Sequence, residues 1–235
     1  MITLLNIETS GETCSVAVSQ DGYVEFEKIE REGMNHAHVL APFVEECVGW
    51  LKRHDTKPDA VAVSIGPGSY TGLRIGLSMA KGLCIGLNVP LIGVSTLQLM
   101  AVQAMFGHTA WEGDELLVPM IDARRMEVYT AVYDFRLDAV VAPQPMILDE
   151  NSFSELLKEK KLYFIGEGAK KASEVIHSEN AHFLTEIRPM AYGMMSLGEK
   201  AFKAGDFLDV AYSVPEYLKE FQATVPRNKV LNSVK

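Results

Sequence analysis

The sequence has little cysteine, little basic charge and no long apolar run. Its three cysteines, Cys14, Cys47 and Cys84, are scattered without a Cys-x-x-Cys pair. That spacing argues against a disulfide framework and a cysteine-built zinc site, and reads the thiols as small core hydrophobes. Lysine and arginine number 22 against 31 aspartates and glutamates, for a net charge of -9 and a pI near 5.2. Phosphate binding depends on Lys and Arg, so the surface as a whole is not a nucleic-acid clamp. The most apolar region, around Leu83 to Val94, is interrupted by Asn88 and Pro90, and the opening MITLLNIETS has neither a basic leader nor a long apolar segment. No membrane span is expected, and the expected location is the cytoplasm. The clearest charge run, Lys158 to Lys161, reads as a solvated helix face.

What is present is ordinary globular composition over 235 residues, 48% hydrophobic and 23% charged, which suffices for one large core or two smaller ones. Two lobes are expected: residues 1–106, carrying a glycine-rich motif, and residues 107–235, ending in a basic tail from Val225.

The glycine-rich stretch, Gly66 to Gly76, reads GPGSYTGLRIG. An apolar run, Ala60 to Ile65, feeds into it, so a buried strand is expected to end in a tight loop that opens a helix. Ser69 or Thr71 can cap that helix, whose apolar positions Leu73, Leu77, Ala80, Cys84 and Leu87 follow at helical spacing. Exposed amides at such a start favour anions. The phosphate-loop pattern nevertheless fails, since no Lys-Ser or Lys-Thr pair follows at the required distance, and the dinucleotide pattern fails because Thr71 stands where its third glycine should. Gly68, Gly72, Gly76 and Ala80 form a ridge of small residues, each interior glycine costing roughly 0.5 to 1 kcal/mol against alanine. The ridge lets another backbone come close. It fits a contact with a second chain and close packing on the chain's own sheet equally well.

Along the chain, Ile2 to Glu8, Thr13 to Gln20 and Tyr23 to Ile29 read as three antiparallel strands, with Asp21-Gly22 as a hairpin signal. A helical stripe follows through Val39, Phe43, Cys47 and Leu51, then the glycine-rich helix, a strand Leu91 to Val94 and a helix to about Phe106. Leu116 to Ile121 and Met126 to Tyr133 repeat the opening strand, polar turn and strand. Helices at Ser152 to Lys160, Ala169 to Ser178 and Met190 to Ala204 flank a last strand, Leu162 to Ile165. This pattern alone indicates a mixed α/β class.

GPGSYTGLRIG, followed by AKGL (Ala80 to Leu83) and GVSTL (Gly93 to Leu97), resembles the signature of the TsaB (YeaZ) family. ETSGETCSVAV (Glu8 to Val18), His36 to Pro42, IDARRMEVYTAVY (Ile121 to Tyr133) and PEYLK (Pro215 to Lys219) resemble the family in the same order, so the likeness spans nearly the whole chain. The resemblance implies a ribonuclease-H-like, actin-like (ASKHA) two-lobe fold with mixed five-stranded sheets flanked by helices. It also implies a bacterial subunit of the machinery that makes threonylcarbamoyladenosine next to the anticodon, at position 37 of tRNAs.

Four candidate sites follow. The catalytic TsaD-type homologue holds a metal through two histidines on one helix face, but His36 and His38 are two residues apart and point about 200° apart on a helix, so no metal site is expected. Glu8, Thr9 and Ser10 stand where the actin-like superfamily places an Asp and small residues around a phosphate and its magnesium; Glu8 replaces that Asp. Asp122 heads the second hairpin, where Arg124 and Arg125 fit either an anion site or a solvated turn paired with Glu127. Ser69 lacks the Gly-x-Ser-x-Gly elbow of a hydrolase and has no evident base.

The resulting expectation is a non-catalytic scaffold that pairs with a TsaD-type homologue, works with a TsaE-type ATPase and meets tRNA only through the complex. The alternatives are a stand-alone actin-like ATPase or phosphotransferase, or a peptidase-like hydrolase. The expected interface takes His36, Val39 and Phe43 from one helix. From the glycine-rich helix it takes Tyr70, Thr71, Gly72, Arg74, Ile75, Gly76, Met79, Ala80 and Leu83. Alone, the chain is expected to form a two-fold dimer through the same ridge. A candidate nucleotide or anion set, Thr9, Ser10, Gly68, Ser69 and Arg74, would hold ADP or ATP only at the shared boundary; no cofactor of its own is expected.

Overall fold

The computed structural model describes residues 1–31, 35–107 and 111–219. The expected basic tail from Val225 lies outside the described residues. Two mixed five-stranded sheets are flanked by helices, the architecture that the resemblance implies. In the first, β1 (Thr3–Glu8) pairs antiparallel with β2 (Cys14–Gln20), which pairs with β3 (Tyr23–Glu30). On its other side β1 runs parallel to β4 (Ala60–Gly66), which is followed by β5 (Leu91–Ser95). The hairpin turn at Asp21 and Gly22 takes positive φ at both residues, as its sequence demands.

The second sheet has the order β10-β9-β6-β7-β8. Here β6 (Leu116–Asp122), β7 (Glu127–Tyr133) and β8 (Ala139–Ile147) form the antiparallel part, while β9 (Leu162–Ile165) and β10 (Ala181–Leu184) run parallel to β6. Strands β8 and β10 escape the sequence reading for physical reasons. The first, AVVAPQPMI, contains Pro143 and Pro145, which are tolerated because β8 is an edge strand, and the second is four residues long and half-buried.

Helices α1 (His36–Arg53) and α2 (Tyr70–Leu87) cover one face of the first sheet, with Leu40, Val44, Cys47, Leu77, Ala80 and Cys84 in its core. Helix α3 (Thr96–Gly107) has apolar residues all round and packs between the two sheets, touching both. Helices α4 (Ser154–Glu159) and α5 (Gly168–Val175) belong to the second sheet. The helix expected from Met190 begins instead as a 3-10 turn, Ala191–Met194, and continues as α6 (Met195–Ala204). Turn and helix come from the second half of the chain yet pack on β1, β2 and β5 of the first sheet. Among the described residues, no helix is long and apolar enough to cross a membrane.

Candidate functional site

The ends of β1 and β4 and the start of α2 converge, and the small residues of α2 decide how closely. A Cβ added at Gly72 would lie 2.1 Å from the Thr9 carbonyl oxygen, and one at Gly76 would lie 2.2 Å from Thr9 Oγ1. The ridge therefore faces inward, against the turn after β1. Thr9 Oγ1 donates to the Gly72 carbonyl at 2.8 Å across 63 residues of sequence. Four of the expected interface positions, Gly72, Gly76, Ala80 and His36, are buried within the chain, Gly72 and Gly76 directly against Thr9. The imidazole of His36 places Nε2 2.9 Å from the Gly11 carbonyl, so it holds the same turn; His38 is exposed.

The same contact runs through the expected anion set. The Ser69 amide donates to the Ser10 carbonyl at 2.7 Å, the Gly72 amide donates to Ser69 Oγ at 3.2 Å, and a Cβ at Gly68 would stand 2.5 Å from the Ser10 carbonyl oxygen. Four members of the candidate anion set, Thr9, Ser10, Gly68 and Ser69, thus meet one another, with the Thr9 hydroxyl, the Ser69 amide and the Ser69 hydroxyl bonded within this turn and the Ser10 hydroxyl buried without a partner. Ser69, the one nucleophile candidate, serves as the helix cap.

Beside this turn Glu8 is fully buried, its Oε1 accepting from the Ser10 amide at 2.5 Å. Burial raises the pKa of its carboxyl, against the hydrogen bond from the Ser10 amide, which acts to lower it. A carboxyl held toward its neutral form and sealed from solvent is a poor ligand for magnesium. Among the described residues, no group of three acidic, histidine or cysteine side chains could hold a metal ion.

Between the sheets, where Ser10 to Thr13 face Met100, Met120, Glu167 and Ile187 to Pro189, the cleft has a volume of about 20 Å³. That is room for a water molecule, while nucleotide-sized ligands need several hundred cubic ångströms. At its mouth burial raises the Glu167 carboxyl, opposed by Arg188. Asp122 pairs with Lys171 at 2.7 Å, and Lys219, rather than either arginine of the turn, takes Glu127.

The open surface is the other side of α2. Thr71, Arg74, Ser78 and Gly82 are exposed along it, alternating with half-buried Tyr70, Ile75, Met79 and Leu83. With Ala37 of α1 they line a groove of about 800 Å³. Val39 and Phe43 of α1 are half-buried and pack against the first core, as do Ile75, Met79 and Leu83. Ile85, 75% exposed, prolongs the apolar face by another turn; the helical stripe pointed inward and gave no sign of it.

Arg74 is held in place by aromatic rings. Its guanidinium carbon lies 3.9 Å from the Tyr70 ring centre, and Nε donates to the Tyr217 hydroxyl at 2.9 Å. Tyr217 belongs to a strap that crosses the site: Lys81 donates to the Ala211 and Ser213 carbonyls at 3.2 and 2.8 Å, and the Glu216 amide donates to the Ile65 carbonyl at 2.7 Å. Lys81 and Tyr217 lie inside AKGL and PEYLK, so the motifs contained them, but their partners are 130 and 143 residues away.

A family model described as TsaD: tRNA N6-adenosine threonylcarbamoyltransferase matches residues 30–231. The chain is 30% identical over 232 residues to the tRNA threonylcarbamoyladenosine biosynthesis protein TsaB of Bacillus subtilis, covering 94% of this chain and 96% of the relative. It is 41% identical over 134 residues to the protein of that name from Escherichia coli, covering 55% and 54%. The solved structure of YeaZ from Pseudomonas aeruginosa superposes with a TM-score of 0.76 at 28% identity, over 93% of this chain and all of that one. With a relative of this likeness along nearly its whole length, the chain belongs to the TsaB (YeaZ) family.

Proposed function

We propose that this chain is the partner subunit of a threonylcarbamoyladenosine-forming complex, and that it acts by pairing rather than by catalysis. The observation that carries the reading is the contrast between the two sides of α2. Its inner side is closed on Thr9 and Ser10, at the position where an actin-like enzyme would hold phosphate, whereas its outer side is an open apolar groove. Apolar surface exposed in this way is characteristic of a docking face. The partner is a TsaD-type homologue, with a TsaE-type ATPase joining the complex and tRNA bound by the assembly as a whole. Alone, the chain covers the groove with a second copy of itself. Arg74, fixed at the rim by Tyr70 and Tyr217, is suited to the phosphates of an ADP or ATP held at the shared boundary.

The packing of Gly68 and Gly72 on Ser10 and Thr9 and the 20 Å³ cleft both speak against a stand-alone ATPase or phosphotransferase. A peptidase would need a base for Ser69, whose hydroxyl accepts the Gly72 amide. The test is transfer of labelled threonine into tRNA with each component omitted in turn. Modification is expected only when this chain accompanies the TsaD-type protein, the TsaE-type ATPase, the adenylate donor and tRNA. Full activity in its absence, or hydrolysis of ATP or peptides by this chain alone, would overturn the reading.

A further inference from the structure

The loop between β6 and β7 makes a turn that its residues resist. Arg124 and Arg125 stand at φ +70° and +50°, both in the left-handed region, where Asn and Gly are comfortable and a long side chain is not. Strain of this kind persists where the side chains are needed. Both residues are exposed, and among the described residues neither guanidinium has an ion-pair or hydrogen-bond partner. The two carboxylates of the turn are already taken: Asp122 by Lys171, and Glu127 by Lys219. With Lys171 and Lys219 taken up by these two carboxylates, and Glu167 beside Asp122 opposed by Arg188, Arg124 and Arg125 are left as exposed charges at the tip on a chain whose net charge is -9. The position matters as well. Lys219 follows Tyr217 by two residues, and Tyr217 holds Arg74 at the rim of the α2 groove. The hairpin tip is therefore joined to the proposed docking face through the strap.

We infer that Arg124 and Arg125 bind the phosphate backbone of RNA and form this subunit's own contact with the tRNA of the complex. The inference rests on the reading of the chain as a subunit that works on tRNA. Two adjacent guanidiniums on a hairpin turn suit successive phosphates, and they read charge and spacing rather than sequence.

The test replaces the pair by residues that favour the turn, Arg124→Asn with Arg125→Gly. This variant removes both charges and relieves the backbone, so its thermal midpoint is expected to match or exceed that of the original chain. Binding of a tRNA transcript by the assembled pair of subunits is then titrated at several salt concentrations. The variant complex is expected to bind about tenfold more weakly, with the slope of log affinity against log salt reduced by about 1 to 2. Equal affinity and equal slope at unchanged stability would overturn the inference. RNA binding that is equal for variant and original chain without ATP and weaker for the variant only with ATP present would overturn it in favour of a nucleotide site. Should the two subunits fail to pair, the partner reading falls by itself. The same titration on this chain alone at low salt then decides the arginine question by the same outcomes.

Discussion

Gly76→Val is expected to unfold the protein at a temperature about 10 °C lower, as a loss of about 3 to 5 kcal/mol would in a chain of this size. The new side chain has nowhere to go. Its Cβ would stand 2.2 Å from Thr9 Oγ1, and displacing Thr9 breaks the buried hydrogen bond to the Gly72 carbonyl. Overpacking of a core contact costs roughly 1 to 3 kcal/mol, and a buried polar group left unpaired adds a similar amount. Gly82→Ala on the same helix is the control. A Cβ there meets nothing within 4 Å, so helix propensity alone acts and stability is expected to rise by about 0.5 to 1 kcal/mol. Equal midpoints for the two variants would mean that the ridge does not press on the turn after β1.

Ser78→Glu combined with Gly82→Glu is expected to leave the fold intact and weaken pairing with the TsaD-type partner by about 100-fold or more. Both positions are exposed and lie one turn apart on the outer side of α2, inside the groove. The two carboxylates repel each other by only a few tenths of a kcal/mol in the free chain. Docking would bury them against an apolar face without counter-ions, which is where the large penalty arises. Calorimetric titration against the partner reads the change directly. Unaltered affinity would move the interface to another face of the molecule.

The two glycine positions tested here, Gly76 and Gly82, show what the sequence could and could not convey. Their spacing on a helix was plain, and so was the strand feeding the loop, because hydrophobic period and glycine content are local properties. The direction of the ridge was not legible: small residues announce that a backbone comes close, and only a contact across 63 residues says that it is the chain's own. His36 illustrates the same limit, since its burial depends on the Gly11 carbonyl 25 residues earlier. Arg74 was visible as a charge at the start of α2, but the strap that fixes it arrives 143 residues later. In the second sheet, β8 was hidden by prolines that only an edge strand can accept. The missing phosphate-loop chemistry was readable from residue types alone; the packing of Gly68 and Gly72 on Ser10 and Thr9 was not.

The central claim is that the outward side of α2 is the pairing surface. Hydroxyl-radical footprinting of the chain with and without the proposed TsaD-type partner tests it most directly, because the labels report the exposure of individual side chains. Met79 and Ile85, on that side of α2, are expected to lose most of their labelling on pairing. Tyr23 and Ile147, 74% and 73% exposed on the outer strands β3 and β8, are expected to keep theirs. Protection of Tyr23 or Ile147, with Met79 and Ile85 labelled as in the free chain, would contradict the account.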